Sequence, residues 1–160
     1  MASRDRSQWA SSVTRRVLRG FQPERLAGAR KSAGMSRGDL ARLACVTTAT
    51  VRNWETGRAR PQIDVLGRVT RLLQLSIADL VDVDPAHRHL GDLRVLAGLT
   101  QPQLALAAGI STTQLSGLER GEVQLTSAVA TRLAAALGEP IASVTQSYER
   151  VRSRPVGDPP

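Results

Sequence analysis

The chain repeats itself. Shifted by about 64 residues, residues 26–80 fall on 90–144 without a gap. Arg30 then meets Arg94, Gly34 meets Gly98, Leu40-Ala41 meets Leu104-Ala105, and Ala44 meets Ala108. Glu55 with Glu119, Gly57 with Gly121, and Ile77-Ala78 with Ile141-Ala142 continue the series. The remaining apolar positions also pair, as Val46 does with Ile110. A period this long exceeds that of the short solenoid repeats, so each copy has to close a core of its own as a small domain. Two such units use up most of the 160 residues.

Each copy reads as helical. β-branched alternation is nearly absent, and aromatic residues make up only 2%, so aliphatic helix faces must supply the cores. In the first copy PERLAGARKSAG predicts a helix with Pro23 in its first turn and Gly34 as its stop. Ser36 caps a second helix over RGDLARLA, and Thr47 a third over TATVRNWET, ended by Gly57. A fourth follows Pro61 near QIDVLGRVTRLLQ, and Ser76 caps a short fifth, IADLV. The second copy repeats the scheme with Thr100, Ser111, Gly121 and a fourth helix over SAVATRLAAAL. The resulting division is a basic N-terminal arm over 1–22, a first domain over 23–82 and a linker over 83–88. A second domain covers 89–147, and a flexible tail 148–160.

Charge separates the copies. The formal net charge is +8, which points to a polyanionic partner. Residues 1–22 and 23–82 each carry roughly +4, whereas 89–147 carry roughly −1. The basic field therefore belongs to the first half. Lys31 is the sole lysine, so nearly all the cations are fork-shaped guanidinium groups. On the third helix Val51 and Trp54 lie three apart and face inward, a spacing that makes Trp54 core rather than a base-stacking group. Thr48, Ala49, Thr50, Arg52 and Asn53 fall on the other side. That face is small near its start and free of carboxylates, as a surface entering a DNA major groove must be. Asn53 suits an adenine edge, the threonine methyls suit thymine, and Arg58 and Arg60 lie where a phosphate backbone would pass.

The layouts of MSRGDLARLACVTTATVRNWETGRARP and LTQPQLALAAGISTTQLSGLERGEVQL resemble the Cro/phage-repressor, or XRE, helix-turn-helix family. The resemblance implies an all-α chain of two tandem five-helix, lambda-repressor-like helix-turn-helix domains, with helix three of each as the reading helix. Carried over by position, it makes Arg37, Thr48, Ala49, Thr50 and Asn53 the base readers. Arg52, Thr56, Arg58, Arg60 and Gln62 become phosphate contacts. A second set of candidates is Gln101, Thr112, Thr113, Gln114, Gly117 and Arg120. The resemblance also implies structural ion pairs, Arg30 with Glu55 and Arg94 with Glu119. The expected activity is that of a repressor-like transcription regulator of double-stranded DNA, with no chemistry and no cofactor. Arg37 departs from the glutamine common at the start of helix two, where the second copy has Gln101, so base preference does not transfer from relatives.

The second copy departs further. Glu122 and Gln124 replace Arg58 and Arg60, and Gly117 removes a side chain from a reading position. Three roles stand open for it: a weaker second reader, a homodimer contact, or a grip on a protein partner. The linker stretch DVDPAHRH, about eight residues, extends at most ~28 Å, against ~34 Å between half-sites one turn apart. Tandem reading by one chain would give an asymmetric site; a dimer through the second copy would give a palindrome. The rival class is an interaction module, antitoxin-like or an anti-activator, whose helices mainly hold protein. The Arg-rich VTRRVLRGF is either a solvated helix face or an arm on phosphates or in the minor groove.

Other chemistry finds little footing. His87 and His89 form an H-x-H pair with no ligand cluster at metal spacing. Cys45 is expected as a buried spectator in the turn between helices two and three. No catalytic triad or phosphate loop is discernible. The start lacks a secretory pattern and no apolar run reaches about 18 residues, so a cytoplasmic location and no membrane partner are expected.

Overall fold

The computed structural model describes residues 18–158. Most of the basic arm, residues 1–17, and the final two prolines lie outside the described residues. Ten α-helices follow one another in the described part, with no strand among them. The first five are α1 (Pro23–Ser32), α2 (Arg37–Leu43), α3 (Thr48–Glu55), α4 (Ile63–Leu72) and α5 (Ile77–Leu80). After one 3₁₀ turn, Pro85–His87, come α6 (Leu90–Leu96), α7 (Gln101–Ala108), α8 (Thr112–Glu119), α9 (Ser127–Leu137) and α10 (Ile141–Arg152).

Local chemistry sets most of the boundaries. Ser36 accepts from the Asp39 backbone N–H while Asp39 reaches back to Ser36, a reciprocal cap at the start of α2. Thr100 and Gln103 do the same for α7. Thr47 accepts from the Thr50 N–H, and Ser111 from Gln114, at the starts of α3 and α8. Pro23 opens α1, where its missing N–H costs nothing. Each copy closes its own core. Leu26, Leu40, Val51, Trp54, Leu66, Val69 and Leu80 anchor the first; Leu90, Leu104, Leu115, Leu118, Leu133, Val144 and Tyr148 anchor the second.

Three expectations from the sequence need correction. The arm does not run to residue 22 as a separate segment: Leu18 and Phe21 are buried in the first core. Phe21 forms an antiparallel bridge with Val81, and Gln22 N–H and Asp82 N–H donate to the Leu80 and Gly20 carbonyls at 2.9 and 2.8 Å. The tail does not begin at 148. Helix α10 continues to Arg152, three times the length of its counterpart α5, and buries Tyr148 and Val151. Finally, Cys45 is exposed, and its backbone is left-handed, φ +56°.

That conformation has a cause. The residue after a helix end commonly turns left-handed to satisfy the last carbonyls, and glycine does so without a Cβ clash. The second copy uses Gly109 and Gly138 for these turns, φ +63° and +67°. The first copy forces Cys45 and Gln74 into the same places, both at φ +56°.

The copies also touch. Helix α5 packs on α6, and Val95 and Leu96 of α6 lie against the first core. Arg19 donates to Asp92 at 3.0 Å and to the His89 Nδ1 at 2.8 Å, tying the segment before α1 to the second copy. The other histidine, His87, pairs with Asp84 at 3.1 Å. The linker is thus bounded by direct contacts on both sides, and its extended length does not set the spacing of the copies.

Replacing Cys45 or Gln74 by glycine relieves the left-handed turn while conceding some unfolded-state entropy. Each substitution is expected to stabilise the first copy by about 0.5–1 kcal/mol, read from the urea midpoint of Trp54 fluorescence in a Trp9→Phe background. Midpoints that fall would contradict the assignment of strain.

Candidate nucleic-acid interface

The outward face of α3 is built from its ends inward. Val51 is fully buried and Trp54 is 4% exposed, which pins one side of the helix to the core. Thr48, Ala49 and Arg52 are exposed, and Thr50 and Asn53 are half-buried. The Thr50 hydroxyl lies 2.8 Å from that of its cap, Thr47, so the pair is rotationally fixed. Asn53 lends its backbone carbonyl to the Ala59 N–H at 3.1 Å, holding the following loop close. That loop carries Arg58, Arg60 and, at the cap of α4, Gln62, all exposed. The side chains of Arg52, Arg58 and Gln62 make no hydrogen bond among the described residues, leaving their donors available to an anion.

Two expected phosphate contacts are partly engaged elsewhere. The Thr56 hydroxyl donates to the Arg52 carbonyl at 2.9 Å within its own helix turn. One Nη of Arg60 donates to the Leu18 carbonyl at 2.9 Å, fastening the loop to the segment before α1.

Beneath the face lies a three-residue network. Arg30 donates from Nε and Nη2 to both carboxylate oxygens of Glu55, at 2.5 and 3.1 Å, and from Nη1 to the Met35 carbonyl at 2.7 Å. One guanidinium therefore joins α1, the α1–α2 turn and α3. Arg37, at the start of α2, adds its Nε to Glu55 at 2.6 Å. Its tether uses Nε and leaves the Nη fork unbonded among the described residues. The second copy builds the same network with Arg94, Glu119, the Leu99 carbonyl and Gln101, at 2.6, 2.8 and 2.7 Å for the shortest bond to each partner. The two ion pairs expected from the sequence are present; the third member of each was not foreseen.

Burial would raise the Glu55 pKa, but the hydrogen bonds from Arg30 and Arg37 outweigh it and hold the carboxyl below its ordinary value. A carboxylate depressed in the folded state adds stability above its unfolded pKa and loses it as pH falls through the folded one.

The equivalent surface of the second copy differs at each basic position. Arg37, Arg42, Arg52, Arg58 and Arg60 are replaced by Gln101, Leu106, Ser116, Glu122 and Gln124. Its added arginine, Arg120, pairs with Glu122 at 2.8 Å and bonds the Ser116 hydroxyl. Thr112 and Thr113 are exposed and Gln114 is half-buried, but Gly117, the counterpart of Asn53, is buried. A Cβ on Gly117 would lie 2.5 Å from the Val123 methyl. The lengthened α10 fixes that valine: the Tyr148 hydroxyl donates to the Val123 carbonyl at 2.9 Å. Arg154 also grips the Arg120 carbonyl at 2.7 Å, and Gly121 passes so close that a Cβ there would meet Arg152 backbone at 3.0 Å. The expected reading position is filled from within.

The comparisons bear on the whole chain. A family model described as helix-turn-helix matches it twice, over residues 26–80 and 90–144. No curated protein matches. Among the described residues no helix is long and apolar enough to cross a membrane.

Three outcomes are expected here. Arg30→Ala leaves the buried Glu55 with Arg37 alone, and should destabilise the first copy by about 3 kcal/mol at pH 7. In the wild type, stability of this copy should fall as pH drops below about 4.5, a fall that Glu55→Gln lessens without abolishing, because Asp39 and Asp79 are also held below their ordinary values by their cap hydrogen bonds; urea titrations of Trp54 fluorescence in a Trp9→Phe background across that range check both. Gly117→Asn, which restores the first copy's residue, should cost the second copy about 1–3 kcal/mol by overpacking against Val123, seen as a lower calorimetric midpoint.

Proposed function

The chain belongs to the XRE-type helix-turn-helix family, a DNA-binding family, and from that membership we propose a sequence-specific regulator of transcription working through its first copy. In this reading α3 enters the major groove of duplex DNA. Asn53, Thr48, Ala49 and Thr50 face base edges, and the Nη fork of Arg37 meets guanine or phosphate. Arg52 and Arg58, helped by Thr56, Arg60 and Gln62, hold the backbone on either side. The single observation that carries the reading is the pairing of a carboxylate-free outward α3 face with Arg52 and Arg58, whose side chains make no hydrogen bond among the described residues. The mechanism is positional: a bound protein occludes or recruits polymerase at its operator, in the cytoplasm, and needs no cofactor or catalysis.

The second copy, in the same reading, does not act as a second reader of comparable strength. Loss of five arginines removes the phosphate contacts that supply non-specific affinity, and Val123 fills the place of a reading side chain. Gln101, Thr112, Thr113, Gln114 and Arg120 would then face a protein rather than bases, in a homodimer or with another partner. The purely protein-holding alternative, antitoxin-like or anti-activator, is less favoured because it leaves the unpaired arginines of the first copy without a role.

The test uses a duplex selected by the protein from a random library. Affinity should fall steeply with salt, as several phosphate contacts require. Asn53→Ala should cost about 1–3 kcal/mol at one base position and spare non-specific binding, whereas Arg58→Ala should weaken all sequences alike and flatten the salt slope. Feeble salt dependence would favour the protein-holding alternative.

A further inference from the structure

The two copies meet around a cleft of about 250 Å³, lined by Ile63, Asp64, Gly67, Arg68 and Arg71 of α4 and by Gly98 and Gln103 of the second copy. The α4 residues form one helical stripe, so the cleft is a groove along that helix with the α6–α7 turn as its far wall. Its arginines are unusual within the fold. The Nε of Arg68 is buried and makes no hydrogen bond. Arg132 holds the same position in the second copy, and there the guanidinium is used: Nη1 donates to the Gly109 carbonyl at 3.1 Å and Nε to the Ala128 carbonyl at 3.4 Å. Arg68 makes neither bond. Arg71 likewise has no hydrogen-bond or ion-pair partner among the described residues, and Ala135 stands in its place in the second copy.

We infer that this cleft is a binding site for a small oxyanion, a molecule carrying one phosphate or carboxylate group, held by Arg68 and Arg71 of the first copy and Gln103 of the second. The donors suit the task. Guanidinium forks match the geometry of such groups and form their strongest hydrogen bonds with them. The Gln103 side-chain oxygen is committed to Thr100, accepting from its N–H at 2.8 Å and its hydroxyl at 2.9 Å, which leaves the amide N–H groups to donate. Gly67 opens the floor: a Cβ there would meet nothing within 4 Å, and the second copy has Thr131 instead. Asp64 brings the net charge of the lining to about +1, which matches a single anionic group and offers an acceptor to a ligand hydroxyl. The volume lies below the ~300–1,000 Å³ of pockets for drug-sized ligands, so the molecule is small. Because its donors come from both copies, the bound anion cross-links them and fixes their relative placement.

The experiment uses the full chain without DNA. Inorganic phosphate and, separately, acetate are titrated against chloride at matched ionic strength, following backbone amide resonances and the thermal midpoint. The amides of Gly67 and Gly98 should shift with phosphate or acetate and not with chloride. The midpoint should rise by about 3 °C once the anion exceeds its Kd tenfold. Gly67→Leu, which fills the groove on an open helix face, and the Arg68→Gln/Arg71→Gln pair should abolish both responses; circular dichroism confirms that they fold. The Arg58→Ala chain should keep both responses. Equal effects of chloride, an unchanged response in Gly67→Leu, or loss of both responses in the Arg58→Ala chain would each overturn the assignment.

Discussion

Glu55 is the hinge on which the architecture turns, with Glu119 as its twin. A carboxylate 1% exposed cannot stay charged in a small aliphatic core unless its oxygens are met by donors. Arg30 meets both, from another helix, in a two-pronged geometry that tolerates little rotation. The consequence is angular rather than energetic. Replacing a buried ion pair by apolar residues often costs nothing in stability, but no greasy contact would fix α3 against α1 so sharply. With that angle set and Val51 and Trp54 facing inward, the opposite face of α3 is left with one orientation in which to meet a partner.

The same scaffold then carries two unlike surfaces. Both copies keep the network, the caps of their second and third helices and the helix order, so the helix-turn-helix backbone is present twice. What differs is charge and cover. The first copy surrounds its exposed helix with guanidinium groups; the second replaces them and folds its own loop down under Tyr148 and Arg154. Duplication followed by divergence of surface charge and of the last helix explains this: the shared core positions are bound by packing, whereas surface charge changes at little cost to the fold. A chain with one exposed, arginine-flanked face and one covered face has a built-in asymmetry, and direct packing of α5 on α6 keeps the two in register.

Features decided by near neighbours were legible in the sequence. Ser36, Thr47, Thr100 and Ser111 cap helices because their side chains reach a backbone N–H three residues on, and that information is local. The repeat exposed the domain count, and Arg30 with Glu55 followed from the family layout. Features decided by distant or unrepeated residues were not. Helix α10 escaped because the repeat offered the four-residue α5 as its template, although Val144, Tyr148 and Val151 are spaced three and four apart as a buried stripe requires. Cys45 misled because its place at a helix end, not its chemistry, decides its exposure. The tether of Arg37 to Glu55 spans 18 residues, and the burial of Gly117 depends on how α10 holds Val123; neither can be drawn from spacing alone.

The central claim is that nucleic acid meets the first copy along α3 and its flanking arginines and does not touch the corresponding surface of the second. Hydrogen–deuterium exchange on the full chain, with and without duplex DNA at low salt, tests it most directly. The account predicts slowed exchange confined to the start of α2, to residues 48–53 and to the loop holding Arg58. Equal slowing over residues 112–117, or none over 48–53, would contradict it.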